Sequence, residues 1–233
     1  MSTSTMIPDT DDGIVTRATP WYLLALGAVA LVAITAAAAI LLLRPAFPGD
    51  TSADAGFARD MSTHHAQAVE MAEMVRGRTA NPEVGLLARE IPLVQQGQIG
   101  QMNGWLDVWG LRATGTEPAM AWMGMPSDGP MPGMASRDDL NELAGLAGAA
   151  ADAKFLQLMI VHHEGGVAMA EAALAYDVTA PVRQLASVIV DAQQAEIETM
   201  RSLLDQVPGA EQPADADPME GMDHGAAASE GQH

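Results

Sequence analysis

A pattern that returns after 98 residues constrains this chain more than any other feature. Phe57, Met61, His64, His65, Val69, Met71, Ala72 and Glu73 recur as Phe155, Met159, His162, His163, Val167, Met169, Ala170 and Glu171. The same offset carries on without a gap. Val84 matches Val182, Leu87 matches Leu185, Ala88 matches Ala186 and Ile91 matches Ile189. Gln95 and Gln96 match Gln193 and Gln194, Ile99 matches Ile197, Met102 matches Met200 and Leu106 matches Leu204. Accident does not hold one register through two consecutive segments. Ala, Leu, Met, Glu and Gln dominate these segments, all good helix formers, and no period-2 alternation is present. Each copy therefore reads as a helical hairpin. Two hairpins that bury their apolar faces against each other give an all-α four-helix bundle.

The boundaries follow from caps and breakers. The first helix reads as Phe57 to Arg76. The second starts at Asn81-Pro82, with Asn as N-cap and Pro at the first helical position, and runs to about Gly110. The third runs from about Asp138 to Tyr176 behind a Ser136 cap, with a break near Gly145 to Gly148. The fourth starts near Thr179 to Pro181 and stops before Pro208-Gly209. The bundle domain spans 56–207. It encloses a long loop, 111–136, with Met120, Met123, Met125, Met131 and Met134 among four prolines. Residues 208–233 form an acidic tail that reads as disordered.

Ahead of the bundle, Trp21 to Leu43 runs 23 residues without a charge. About 20 such residues cross a bilayer core, while the apolar stretch of a cleaved signal is about 7–15. Trp21 and Tyr22 sit at one end, where amphipathic rings favour the membrane interface. Residues 1–20 read as a flexible tail, 21–43 as an uncleaved transmembrane anchor and 44–55 as a linker. Ala53-Asp54-Ala55 resembles a cleavage site but lies far beyond the apolar run. Arg17 on one side, with Arg44 and Arg59 on the other, gives the positive-inside rule little to decide. The usual single-anchor arrangement puts the C-terminal domain outside the cytoplasm.

Composition removes several functions. Asp and Glu number 30 against 11 Lys and Arg, for a net charge of −19, so nucleic acid is excluded as a partner. There are no cysteines, hence no disulfide, thiolate metal site or Cys nucleophile. No Glu-x-x-His, His-Glu-x-x-His, phosphate loop or Gly-x-Ser-x-Gly turn occurs, which argues against a di-iron site, a zinc protease, a nucleotide site and a hydrolase. The chain is read as a binding protein with no catalytic residues. A metal-dependent oxidoreductase is disfavoured by the missing carboxylates.

Methionine is the compositional outlier, at 16 residues. On a helical wheel Phe57, Met61, His64, Ala68, Ala72 and Val75 share one stripe, with Met71 at its edge beside His64. His64 and His65 lie about 100° apart around the axis, so each faces a different neighbouring helix. Buried imidazoles need acceptors or a metal. Thioether and imidazole together suit soft or borderline ions, Cu(I) above all, with zinc allowed. The candidate ligands are Met61, His64, His65, Met71, Met159, His162, His163 and Met169, and the Met-rich loop is a secondary candidate for Cu(I) capture.

The two Met-x-x-His-His segments, Met61 to Ala72 and Met159 to Ala170, together with Pro132-Gly133-Met134-Ala135 between them, resemble the family catalogued as domain of unknown function 305. The resemblance spans about residues 55–207. It implies a ferritin-like bundle, exported or anchored in a bacterial envelope, and copper binding through Met and His as in some relatives. Gly166 departs from the usual Ala and is expected to loosen its helix slightly. Together these readings give a single-pass, membrane-anchored, extracytoplasmic copper-binding protein that buffers the metal or passes it to a protein partner. The competing reading is a non-metal envelope protein whose bundle docks a partner.

Overall fold

The computed structural model describes residues 21–42 and 47–214. The tail over 1–20, most of the acidic tail (215–233) and part of the linker lie outside the described residues. The chain divides into two units, 1–46 and 47–233.

The first unit contributes helix α1, Trp21–Leu42. At 1.5 Å per residue its 22 residues reach about 33 Å, enough to cross a hydrocarbon core by length and composition. A signal sequence near an N-terminus meets the same criterion. The hydroxyl in mid-run, Thr35, bonds back to the carbonyls of Leu31 and Val32.

The described residues of the second unit are helical apart from loops and one isolated bridge, Ala119 to Ser127. Helix α2 spans Ala53–Val75, α3 Pro82–Trp109, α4 Arg137–Gly145, α5 Ala149–Ala175 and α6 Ala180–Leu204. Helix α2 begins four residues before the expected Phe57, because Ser52 supplies the N-cap by accepting from Ala55 N. The linker is shorter by three residues, and Ala53-Asp54-Ala55 is the helix's first turn. Asn81 and Pro82 open α3 as expected, and Gly110 closes it at φ 73°. Pro92 lies inside α3 without ending it. The expected break between α4 and α5 is real. Leu146 leaves the helix and Gly148 takes φ 62°, while Ser136 and Asp139 form a capping box at the start of α4.

Helices α2 and α3 pack along each other, as do α5 and α6. Helix α2 crosses α5 to join the hairpins, and α3 and α6 barely meet. Two aspartates 98 residues apart clasp the halves reciprocally. Asp54 in the first turn of α2 accepts from Thr179 N and Oγ1 (2.8 and 2.6 Å), at the turn entering α6. Asp152 in the first turn of α5 accepts from Ala80 N and Asn81 N (3.1 and 2.9 Å), at the turn entering α3. Each first-turn carboxylate thus satisfies the unbonded N–H groups at the other hairpin's turn.

The interior is split in two. One apolar cluster gathers Ala68 to Val75 of α2, Val84 to Ile91 of α3, Phe155 to Ile160 of α5 and Met200 to Leu204 of α6. The other gathers Phe57 to Met61, Met102 and Leu106, Met169 to Ala173, and Val182 to Ile189. The residues that fall between these two groups along the four helices are His64 and His65, Gln95, His162 and His163, and Gln193, all buried. A polar layer therefore crosses the middle of an apolar bundle.

Candidate metal centre

The four imidazoles of the layer are fully buried, and each is oriented by a hydrogen bond through Nε2. His64 Nε2 donates to the Pro132 carbonyl at 3.0 Å. His162 Nε2 donates to the His64 main-chain carbonyl at 3.0 Å. His65 Nε2 donates to Gln98 Oε1 at 2.7 Å and His163 Nε2 to Glu196 Oε2 at 2.7 Å. Oxygen acceptors at all four positions place the proton on Nε2, which leaves Nδ1 as a bare lone pair. All four Nδ1 atoms are buried without a protein partner.

The His64 and His162 rings lie face to face, centroids 3.8 Å apart. His64 and His65 centroids are 6.5 Å apart and those of His162 and His163 6.2 Å. Adjacent histidines thus diverge around their helix, as the 100° step requires. His64, His65 and His162 resist protonation. Burial pushes His64 down to about 4, against which the Pro132 bond works and to which the charge of His163 adds. Burial and the neighbouring His64 push His65 to about 3. Burial, then the charges of His64, His163 and His65, hold His162 well below the usual imidazole range. These rings are neutral near pH 7, the state that ligates metal.

Two glutamines complete the layer. Gln95 and Gln193 are 98 residues apart and buried, and neither amide finds a partner. Among the described residues, nine buried side-chain N and O atoms lack a partner, and all but Asp152 Oδ1 belong to this layer. Leaving such groups unsatisfied would cost roughly 1–3 kcal/mol each.

Gly166, expected to loosen α5, has a different role. A Cβ there would lie 2.3 Å from Gln193 Oε1, so the glycine makes room for the amide. The loop ahead of α4 closes the layer in the same manner. A Cβ on Gly133, at φ 71°, would lie 2.3 Å from Val161 O, and one on Gly165 would lie 2.2 Å from Pro132 O. Only glycine allows these two backbones to touch. Gln67 fastens the strap by exchanging both hydrogen bonds with Ala135, 2.7 and 3.0 Å. The strap thereby carries the Pro132 carbonyl to His64.

The four candidate methionines are all fully buried. Met61 and Met169 belong to one apolar cluster, Met71 and Met159 to the other. Thioethers therefore come from both sides of the imidazole layer, two from each. Among the described residues no three His, Asp or Glu side chains form a metal-binding group. Hard ions that need several oxygens do not fit this donor set. The side chains present are imidazole nitrogen in the layer and thioether sulfur in the clusters that flank it.

The Met-rich loop is not an open capture surface. Met120, Met125 and Met131 are buried, and Met123 and Met134 pack against the cluster around Phe57. Met120 takes φ 65° and donates its N–H to Asp60 Oδ2, which also accepts from Trp122 Nε1, both at 2.8 Å. A surface cleft of about 460 Å³ lies beside Asp60 and Trp122, and none of the eight candidate ligands lines it. Sequence reasoning missed Asp60, Gln98 and Glu196, whose partners come from other helices or from the loop.

The model of the family described as a domain of unknown function (DUF305) matches residues 54–204. The DUF305 protein of Streptomyces coelicolor is 44% identical, covers 71% of this chain and 99% of its own, and superposes with a TM-score of 0.67. A DUF305 fragment from Deinococcus radiodurans is 36% identical over 70% of this chain and 99% of its own, TM-score 0.56. CopM, solved in a Cu(I)-bound form, is 29% identical over 67% of this chain and 98% of its own, TM-score 0.53. Its Cu(II)-bound form gives 30% identity over 66% and 97%, TM-score 0.53. Among curated proteins none matches. With two of its three sequence segments at the polar layer and the third in the strap that closes it, the chain belongs to the DUF305 family.

Proposed function

We propose that this protein binds copper in the polar layer of its bundle, as a membrane-anchored extracytoplasmic protein that buffers the metal or hands it to a protein partner. The observation that carries the reading is the set of four buried Nδ1 lone pairs, each on a ring whose Nε2–H is already committed to an oxygen. Metal-bound histidines use this arrangement, since the outer hydrogen bond fixes the tautomer and raises ligand basicity. His64, His65, His162 and His163 would supply nitrogen, and Met61, Met71, Met159 and Met169 thioether sulfur. Cu(I) suits those donors best, and zinc, which favours four ligands in a tetrahedron, suits them less. CopM, a relative, is known in Cu(I)- and Cu(II)-bound forms.

The reading is of binding rather than catalysis. Anchoring rests on the length and apolarity of α1, and the extracytoplasmic placement on a Streptomyces coelicolor relative taken to be secreted. Competition titration with a Cu(I) chelator tests the function. The parent should take Cu(I) from the chelator, and a His64→Ala, His162→Ala double variant that stays helical should lose at least about 100-fold in affinity. Equal competition by parent and variant would move the site elsewhere. No binding by the parent would leave a bundle that docks a partner.

A further inference from the structure

The aromatic side chains of the bundle are gathered at one of its ends. Asp54 meets Thr179 there, so that end joins the start of α2, the close of α3, the close of α5 and the start of α6. Trp105 and Trp109 stand in the last turns of α3, stacked with centroids 6.2 Å apart. Trp122 of the loop packs edge-on to Tyr176, the residue that closes α5, at 5.8 Å. Phe47 lies just ahead of α2, which starts at Ala53. Every Trp and the one Tyr of residues 47–233 belong to this end. The opposite end, around Leu143 and Leu204, has Phe155 as its aromatic, and that ring is fully buried. At the first end the rings reach the surface. Phe47, Tyr176 and the neighbouring Val108 are exposed. Trp105 and Trp109 are half-buried, and neither indole N–H is buried or finds an acceptor among the described residues.

We infer that this aromatic end is a docking surface for a lipid bilayer, which it meets at the headgroup interface. The inference rests on the anchored reading of α1 above and is independent of copper. Trp and Tyr favour the zone between hydrocarbon and water, where the ring lies in apolar surroundings and the N–H or O–H still finds an acceptor. The end carries those parts: two indoles with free N–H groups, a phenol, and an exposed Phe and Val beside them. The chain also enters the bundle here. Residues 43–52 are all that separate α1 from α2, at most about 35 Å of extended chain. The end that bears the aromatics is therefore the end that a membrane-spanning α1 tethers to the bilayer. Charge supplies no attraction to anionic headgroups, since the chain carries −19, so contact is made through the rings.

Fluorescence of the full-length protein in phosphatidylcholine vesicles tests the inference. The lipids carry bromine high on the acyl chain, where it quenches only indoles close to the interface. Replacing Trp21 by Phe leaves Trp105, Trp109 and Trp122 as the emitters. Brominated vesicles should quench at least about a third of the Trp21→Phe emission relative to unbrominated ones, because two of the three indoles lie at the docking surface. Adding Phe47→Asp and Val108→Asp, both at exposed positions, should cut that quenching by at least about half, with helicity unchanged. Quenching in the parent but none in Trp21→Phe would leave α1 in the bilayer and the bundle clear of it, and would overturn the docking alone. Quenching that the two aspartates did not change would also overturn it. No quenching in either protein would remove the anchored reading and the docking together. Unquenched bundle indoles, with a dimer in detergent that Val108→Asp dissolves, would give this end to a second copy of the chain and likewise overturn the inference.

Discussion

Two regions of this molecule are rich in methionine, and they use it in opposite ways. In the bundle, Met61, Met71, Met159 and Met169 sit in the apolar clusters on either side of four imidazoles whose Nδ1 atoms are bare. In the loop over 111–136, Met120, Met125 and Met131 are buried with no histidine among them, and Met120 and Met131 anchor the loop to the bundle. Methionine fills irregular apolar space without further purpose in most cores. The difference between the two regions is therefore the company the sulfur keeps. The loop contributes to the site through backbone, by delivering the Pro132 carbonyl to His64, rather than through thioether.

The largest expected effect separates the two regions directly. Loss of His64 and His162 together should lower Cu(I) affinity at least about 100-fold, while Met125→Ala with Met131→Ala should change it by less than about threefold in the same chelator competition. A second difference is in pH. His64 is held at about 4 in the fold against about 6.5 when unfolded, so the unfolded chain binds the extra proton between those values. Stability is then fully present above pH 6.5 and falls as pH drops towards 4. The contribution of His64 alone is on the order of 3 kcal/mol. Metal-free protein should melt at steadily lower temperature over that window, and a His64→Gln variant should show a shallower slope.

Smaller effects sharpen the comparison. Met131→Ala should cost about 2–3 kcal/mol of stability in denaturant unfolding, because it empties part of the cluster around Phe57. Gly165→Ala should cost about 1–3 kcal/mol by pushing the strap off α5. It should also weaken copper binding, which Met131→Ala should not, since it displaces the acceptor of His64. The smallest effect belongs to the tail. Removing residues 215–233 should shift the melting temperature by less than about 1 °C, because the segment has few apolar groups to bury. Removal from 208 onward should cost more. Ala210 packs on the core, and Gln212 bonds to Arg201 O and Asp205 Oδ1.

The hairpins, their caps and the inward His pairs were legible in the sequence because they depend on local periodicity repeated at one offset. The acidic tail reads as disordered from Pro208, whereas its first residues dock on α5 and α6, with the Glu211 carbonyl accepting from Gln157. The polar layer was only half legible. Gln95 and Gln193 matched as repeats, yet their burial depends on where α3 and α6 stop being apolar, which only packing reveals. Gln98 and Glu196 give no signal in the repeat because the two copies differ there. Asp60 gave no signal, since its partners Met120 and Trp122 lie in the loop. Gly166 reads in sequence as a local effect on its helix, and its reason lies on α6 in Gln193.

X-ray absorption at the copper edge of the Cu(I)-loaded full-length protein tests the central claim most directly. The account predicts imidazole nitrogen together with thioether sulfur around the metal, and loss of the imidazole scattering in the His64→Ala, His162→Ala protein. A copper environment made of sulfur alone, unchanged in that variant, would place the metal away from the polar layer and contradict the account.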